Sequence, residues 1–155
     1  MMHTGKAIKV AIAADHRGVA LKKKLAEFLQ KNGYAVKDLG VHSEEPSDYP
    51  DVAFPLSKKV ASGEFDRGIL VCMSGTGMAI CANKVKGVRA AICDNLEHAK
   101  LSREHNDANV LILGSKFVSD EAACEISKAW IETPFEGGRH EQRVKKIIDF
   151  ENSQK

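Results

Sequence analysis

The chain switches five times between two hydrophobic periods, and few folds can absorb that pattern. Short apolar runs rich in β-branched residues read as buried strands, and apolar residues three and four apart read as amphipathic helices. Ile8 to Ala14 is a strand run, after which Leu21, Leu25, Phe28 and Leu29 recur at helical spacing. Lys22, Lys23, Lys24, Glu27 and Lys31 are expected on the wet side of that helix, and Asn32-Gly33 ends it. Tyr34 to Leu39 alternates as a second strand, followed by a helix over Asp51 to Ala61 with Val52, Leu56 and Val60 on one face. Ile69 to Cys72 is a third strand, and a helical pattern restarts at Met78. Gly87 to Ile92 is a fourth. Asp94 to Glu97 reads as a capping box for a helix running to about Glu104, which His105-Asn106-Asp107 breaks. Asn109 to Leu113 is a fifth strand. Ser119 caps a helix that carries Ala122, Ile126, Ala129 and Trp130 inward and stops at Pro134. A charged terminal helix begins near Arg139.

Such alternation predicts an α/β fold, a parallel sheet sandwiched between helices in three layers, with right-handed crossovers. The 155 residues suffice for one domain with a real core. Residues 1–6 are expected to be a loose tail, and residues 137–155 a C-terminal helical arm. A net charge of +2 is too small to argue for nucleic acid, and one Trp with two Tyr offers no stacking platform for single strands. Four cysteines without CxxC spacing argue against a metal or disulfide framework and fit a cytoplasmic protein. No stretch approaches membrane-spanning length, so no membrane partner is expected.

In open α/β sheets, ligands bind beyond the carboxyl ends of the strands. There the chain places Asp15-His16, then Cys72 with the small-residue loop Met73-Ser74-Gly75-Thr76-Gly77, then Lys116. Loop amides and a helix start beside a thiol attract negative charge. Cys72 is equally readable as a buried small hydrophobe, and Asp15 as the cap of the first helix. Tyr49, between Asp48 and Pro50, either contacts a ligand or pins a loop. Arg139 and Arg143, four apart on a helix, share one face, either as a fork for phosphate or carboxylate oxygens or as a solvated basic face. His140 between them points elsewhere. His105 and Asn106 precede the fifth strand and belong by topology to the sheet's amino end, away from Cys72. If His105 and Cys72 act together, the simplest geometry is a site shared between two subunits. Cys81, Cys93 and Cys124 fall in apolar runs and are expected in the core.

Taken together, Asp15-His16, Asp48-Tyr49-Pro50, Cys72 with its glycine loop and Ala82-Asn83-Lys84, Ser102 to Asn109, and Gly137 to Arg143 closely resemble type B ribose-5-phosphate isomerase. The motifs are short but occur in that family's order and spacing, from about Lys9 to Ile148. The resemblance implies a five-stranded, Rossmann-like parallel sheet and a homodimer or dimer of dimers whose active sites are shared. It implies conversion of ribose 5-phosphate into ribulose 5-phosphate with no metal and no nucleotide cofactor. By position Cys72 matches the proton-transferring base and His105 the ring-opening acid/base, with Ser74 and Asp15 assisting. Asp15, His16, Tyr49, Met73, Ser74, Gly75, Thr76, Gly77 and Asn106 match substrate-binding positions. Lys116, Arg139 and Arg143 match phosphate-binding ones, the arginines arriving from the partner subunit. Met73 and Lys116 depart from the family's usual Gly and Arg, and related enzymes act on allose 6-phosphate and galactose 6-phosphate.

Overall fold

The structure, a computed structural model, describes residues 7–154, so the tail expected over residues 1–6 lies outside the described residues. Strands β1 (Lys9–Ala14), β2 (Ala35–Asp38), β3 (Arg67–Cys72), β4 (Ala90–Ile92) and β5 (Val110–Gly114) form one parallel sheet in the order β2-β1-β3-β5-β4. Helices α1 (Val19–Lys31), α2 (Pro50–Ala61), α3 (Thr76–Ala82), α4 (Leu96–Asn106), α5 (Asp120–Glu132) and α6 (Arg139–Ser153) complete the chain. Among the described residues no helix is long and apolar enough to cross a membrane.

The period of two explains the layering. Val10, Ile12 and Ala14 of β1, with Ile69, Val71, Leu111 and Leu113, face one way onto Leu21, Leu25 and Leu29 of α1 and Trp130 of α5. Ala11, Ala13, Leu70, Cys72, Val110 and Ile112 face the other way onto Ala53, Leu56 and Val60 of α2 and Met78 of α3. Helices cover both faces, so the central strands are apolar throughout rather than alternating. The connection out of β1 runs one way along the sheet, to β2, and the connection out of β3 runs the other way, toward β4. The carboxyl ends of β1 and β3 therefore flank the crevice where such sheets take ligands.

Four local expectations need correction. Lys22 is not on the wet side: it is 1% exposed, and its Nζ donates to Asp38 Oδ1 at 2.8 Å and to the Val41 carbonyl at 2.6 Å. It borders the Leu21–Leu25 stripe, and a buried ammonium is tolerated there because both oxygens meet it. Asp94 does not cap α4. Asn95 does, its side chain accepting from the His98 amide at 2.8 Å. His105 and Asn106 do not break that helix either. They form its last turn, which ends at Asp107 with φ 48°. Buried Arg103 holds that end together by donating to Asp107 Oδ1, the Ala108 carbonyl and the Thr133 carbonyl. On α5 the buried face is Ala123, Ile126, Ser127, Trp130 and Ile131, whereas Ala122 and Ala129 are half-buried. Ser119 caps α5 as expected, accepting from the Ala122 amide at 3.1 Å.

Candidate active site

Cys72 ends β3 and is 6% exposed. The chain turns sharply after it through Gly75, whose φ of 85° favours glycine. That turn points the Gly75 amide at the Cys72 sulfur, 3.1 Å away. Burial pushes the Cys72 thiol above its ordinary range, and the Asp15 charge adds to this. The amides of Gly75, Met78 and Ser74 pull in the other direction. A lowered thiol pKa is what a neutral-pH base would need, and in the free chain desolvation outweighs the amides. The loop sits on bare backbone: a Cβ on Gly114 would lie 2.6 Å from the Ser74 carbonyl oxygen. Backbone bonds from Ser115 to the Cys72 carbonyl (2.8 Å) and from Lys116 to the Met73 carbonyl (3.0 Å) tie the loop to the end of β5. Thr76 donates its amide to Ser74 Oγ at 3.3 Å.

Asp15 follows β1, and its amide donates to the Val71 carbonyl, which places it beside Cys72. It is 6% exposed, and its Oδ1 accepts from the Arg17 amide at 2.9 Å. It does not cap α1, whose N-cap is Gly18. His16 is oriented by a residue that sequence reading missed. The Ser47 amide donates to His16 Nδ1 at 3.1 Å, and the His16 amide donates to Ser47 Oγ at 3.1 Å. Nδ1 is thereby an acceptor, so the neutral ring carries its proton on Nε2. The Tyr49 ring lies over Gly77, where a Cβ would be 2.5 Å from it. Met73 turns outward, its sulfur 3.0 Å from Arg17 Nη2, and Lys116 is exposed. Asp15, His16, Tyr49, Cys72 and the loop from Met73 to Gly77 thus meet at one rim.

His105, Asn106, Arg139 and Arg143 do not join that rim. α4 runs back along the sheet, so its last turn lies at the amino ends of β4 and β5, where Arg89 donates to the Asn106 and Asp107 carbonyls. His105 stacks there on His140, ring centroids 4.1 Å apart and planes 12° apart. His140 is buried, whereas Arg139 and Arg143 on the same helix are exposed. No local spacing announces this stack, because α4 and α6 meet only in three dimensions. His105, Glu136 and His140 also have potential metal-ligand atoms within 4.8 Å of one another.

Of the remaining cysteines, Cys81 and Cys93 are buried and Cys124 is half-buried against the core. A groove of about 760 Å³ opens between β4, α4 and α6, lined by Val88, Ala91, Leu101, Ile147 and Phe150 among others. It contains neither Cys72 nor His105, so it is a feature apart from the rim.

The family model described as Ribose/Galactose Isomerase matches residues 10–147. The chain is 46% identical over 143 residues to the ribose-5-phosphate isomerase B of Escherichia coli (strain K12), covering 92% of this chain and 96% of that one. A structure of Clostridium thermocellum ribose-5-phosphate isomerase B superposes with a TM-score of 0.91 at 48% identity, covering 94% of this chain and 98% of that one. The Mycoplasma genitalium ribose-5-phosphate isomerase B, solved with bound ribulose-5-phosphate, gives a TM-score of 0.92 at 42% identity, covering 98% and 100%. Model, sequence and fold agree across nearly the whole chain, which belongs to the Ribose/Galactose Isomerase family of enzymes.

Proposed function

We propose that this chain interconverts ribose 5-phosphate and ribulose 5-phosphate through an enediolate, with Cys72 as the base. The observation that carries the reading is the division of functional groups. A thiol, a carboxylate, an imidazole and a loop of amides gather at one end of the sheet, and an imidazole with two exposed guanidiniums gathers at the other. Each chain then carries two half-sites, and a second copy completes both. The exposed apolar residues Ile92, Leu96, Leu101, Ile147 and Phe150, beside the groove between β4 and α6, offer a surface for that copy.

The chemistry follows from the groups. Moving a carbonyl from C1 to C2 takes a proton from C2 and returns one to C1. One base on one face of the planar enediolate can do both. The thiolate of Cys72 forms once substrate and a partner's cations lie beside it, because neighbouring positive charge favours the charged thiol. Negative charge develops on the enediolate oxygens, where loop amides and the Ser74 hydroxyl are held in advance. The sugar is mainly a ring in solution. His105, supplied by the partner subunit and aided by Asp15, takes the anomeric hydroxyl proton and delivers it to the ring oxygen as the bond from C1 to that oxygen breaks. Tyr49, the loop from Met73 to Gly77 and Asn106 line the sugar. His16, Lys116, Arg139 and Arg143 hold the phosphate, and that remote binding energy supports the step at C1 and C2. Residues 137–155 are the arm that carries the two arginines across.

The test is a panel of aldose phosphates, with ribose 5-phosphate, allose 6-phosphate and galactose 6-phosphate followed by NMR for the ketose. Ribose 5-phosphate is expected to have the highest kcat/KM. A six-carbon substrate leading the panel would move the reading to that sugar, and no ketose from any of them would leave only a sugar-phosphate binder.

A further inference from the structure

Resting on the reading of His105 as the ring-opening group, we infer that His140 is its positioning residue: the imidazole of His140 is the platform that fixes the plane and reach of the His105 ring. His105 sits in the last turn of α4, half-buried, where a side chain with two free torsions is poorly determined. Among the described residues its ring makes no hydrogen bond or ion pair. The contact that sets its plane is the face of His140, 4.1 Å away and nearly parallel. His140 is itself buried, 4% exposed near the start of α6. Gly137 and Gly138, with φ of 70° and 55°, turn the chain so that α6 begins with His140 inward and Arg139 outward.

A residue that only filled this space would need no ring. His140 Nε2 is buried without a hydrogen-bond partner, and Glu136 Oε1 lies 3.9 Å away, too far to serve. An aliphatic side chain would fill the space without that unmet nitrogen. Burial holds the His140 pKa down, and the neighbouring His105, Arg139 and Arg143 act in the same sense; Glu136 alone opposes them. All but one of these influences favour the neutral ring. A neutral π face can support His105 both as the base that takes the anomeric proton and as the cation that results. Because Arg139 and Arg143 are on the same helix, the stack also locks the ring-opening group to the phosphate clamp.

The same three groups could be read as metal ligands, since their atoms lie within 4.8 Å of one another. The two rings are only 12° from parallel with centroids 4.1 Å apart, and a nitrogen lone pair lies in its own ring's plane, so both cannot meet at one ion while the stack stands. One ring would have to leave the stack before an ion could be shared.

The test separates ring opening from proton transfer in the intact protein. Ribose 5-phosphate conversion needs both. Exchange of the C1 proton of ribulose 5-phosphate with D2O needs only the second, because a ketopentose esterified at O5 has no hydroxyl placed to close a five-membered ring. His140→Ala is expected to slow ribose 5-phosphate conversion on the order of tenfold to a hundredfold, a part of the ~10²–10⁴ that a placed acid–base group supplies, since His105 itself remains. C1 exchange should change by less than about twofold. His140→Phe keeps a ring at the same place and should restore most of the conversion. In NMR spectra the His105 ring protons should be shifted upfield in the native protein and in His140→Phe, and lose that shift in His140→Ala. Equal loss of conversion and exchange in His140→Ala, or loss of neither, overturns the platform. If His105→Ala itself slows both reactions equally, ring opening at His105 fails and the inference falls with it. If His105→Ala separates the two reactions and His140→Phe rescues nothing, only the platform fails.

Discussion

The Gly75 amide nitrogen stands 3.1 Å from the Cys72 sulfur, and the two are set against each other energetically. The amide favours the thiolate, whereas the burial that makes the contact possible favours the thiol, and burial prevails.

In the free protein, alkylation of Cys72 by a small reagent should keep accelerating above the pH at which an ordinary cysteine has levelled off. Adding a substrate analogue that neutralises the site should change the profile. A plateau at neutral pH without ligand would contradict the raised pKa. Cys72→Ala should lower isomerisation by on the order of 10²–10⁴-fold, the usual range for a general base, with the thermal transition nearly unchanged.

Mixing two inactive variants tests the shared site. A Cys72→Ala chain and a His105→Ala chain, unfolded and refolded together, form mixed dimers in which one site has both groups and the other has neither. At equal amounts, about a quarter of the native activity should return, since half of the dimers are mixed and one site in each is whole. Activity that stays at the level of the separate variants would place Cys72 and His105 in independent sites.

Gly114→Ala should be more damaging to activity than its chemistry suggests. Its Cβ would lie 2.6 Å from the Ser74 carbonyl oxygen, which is backbone and cannot rotate away. The loop from Met73 to Gly77 must then move. A shift near 1 Å in a placed group costs roughly 10²-fold in rate, measured as kcat on ribose 5-phosphate. Retained activity would mean that the loop adapts without moving its amides.

Lys22→Ala should cost about 2–3 kcal/mol of stability in urea unfolding, at the low end for a broken buried pair because the Asp38 side chain is 29% exposed. It strips Asp38 Oδ1 and the Val41 carbonyl of one donor at once. Asp38→Asn on top of it should add little, and additive losses would show that the two do not act as a pair.

Alkaline pH should destabilise the protein partly through Cys93. Burial raises its thiol to about 11, above an unfolded value of 9.0. The unfolded chain thus loses this proton first. The contribution of Cys93 is intact below pH 9 and disappears as pH rises toward about 11, on the order of 2–3 kcal/mol in all. Urea titrations across that window should slope less steeply for Cys93→Ala than for the native protein. Identical slopes would remove Cys93 from the account.

How much could be read before folding is clearest from particular residues. The strand and helix periods located all five strands, because burial on two faces or one leaves its mark at every second or every third and fourth position. Ser119 was readable as a cap for the same local reason. Lys22 was not, because its type favours water and only Asp38 and Val41, brought alongside by β2 pairing with β1, reverse that preference. The end of α4 misled for a related reason: His-Asn-Asp looks like a terminator, and Arg103 reaching to Thr133 holds the helix through it.

The amino-acid order by itself determined the layered α/β fold, the family, and the placement of Asp15, His16 and the Cys72 loop at strand ends, since each depends on neighbours in the chain. Only the tertiary structure decided that Tyr49 covers Gly77, that Ser47 orients His16, that burial overrides the loop amides at Cys72, and that His105 rests on His140. Those are distances between segments far apart in sequence. They exist only after the sheet order brings the segments together, and no local pattern of residues records them.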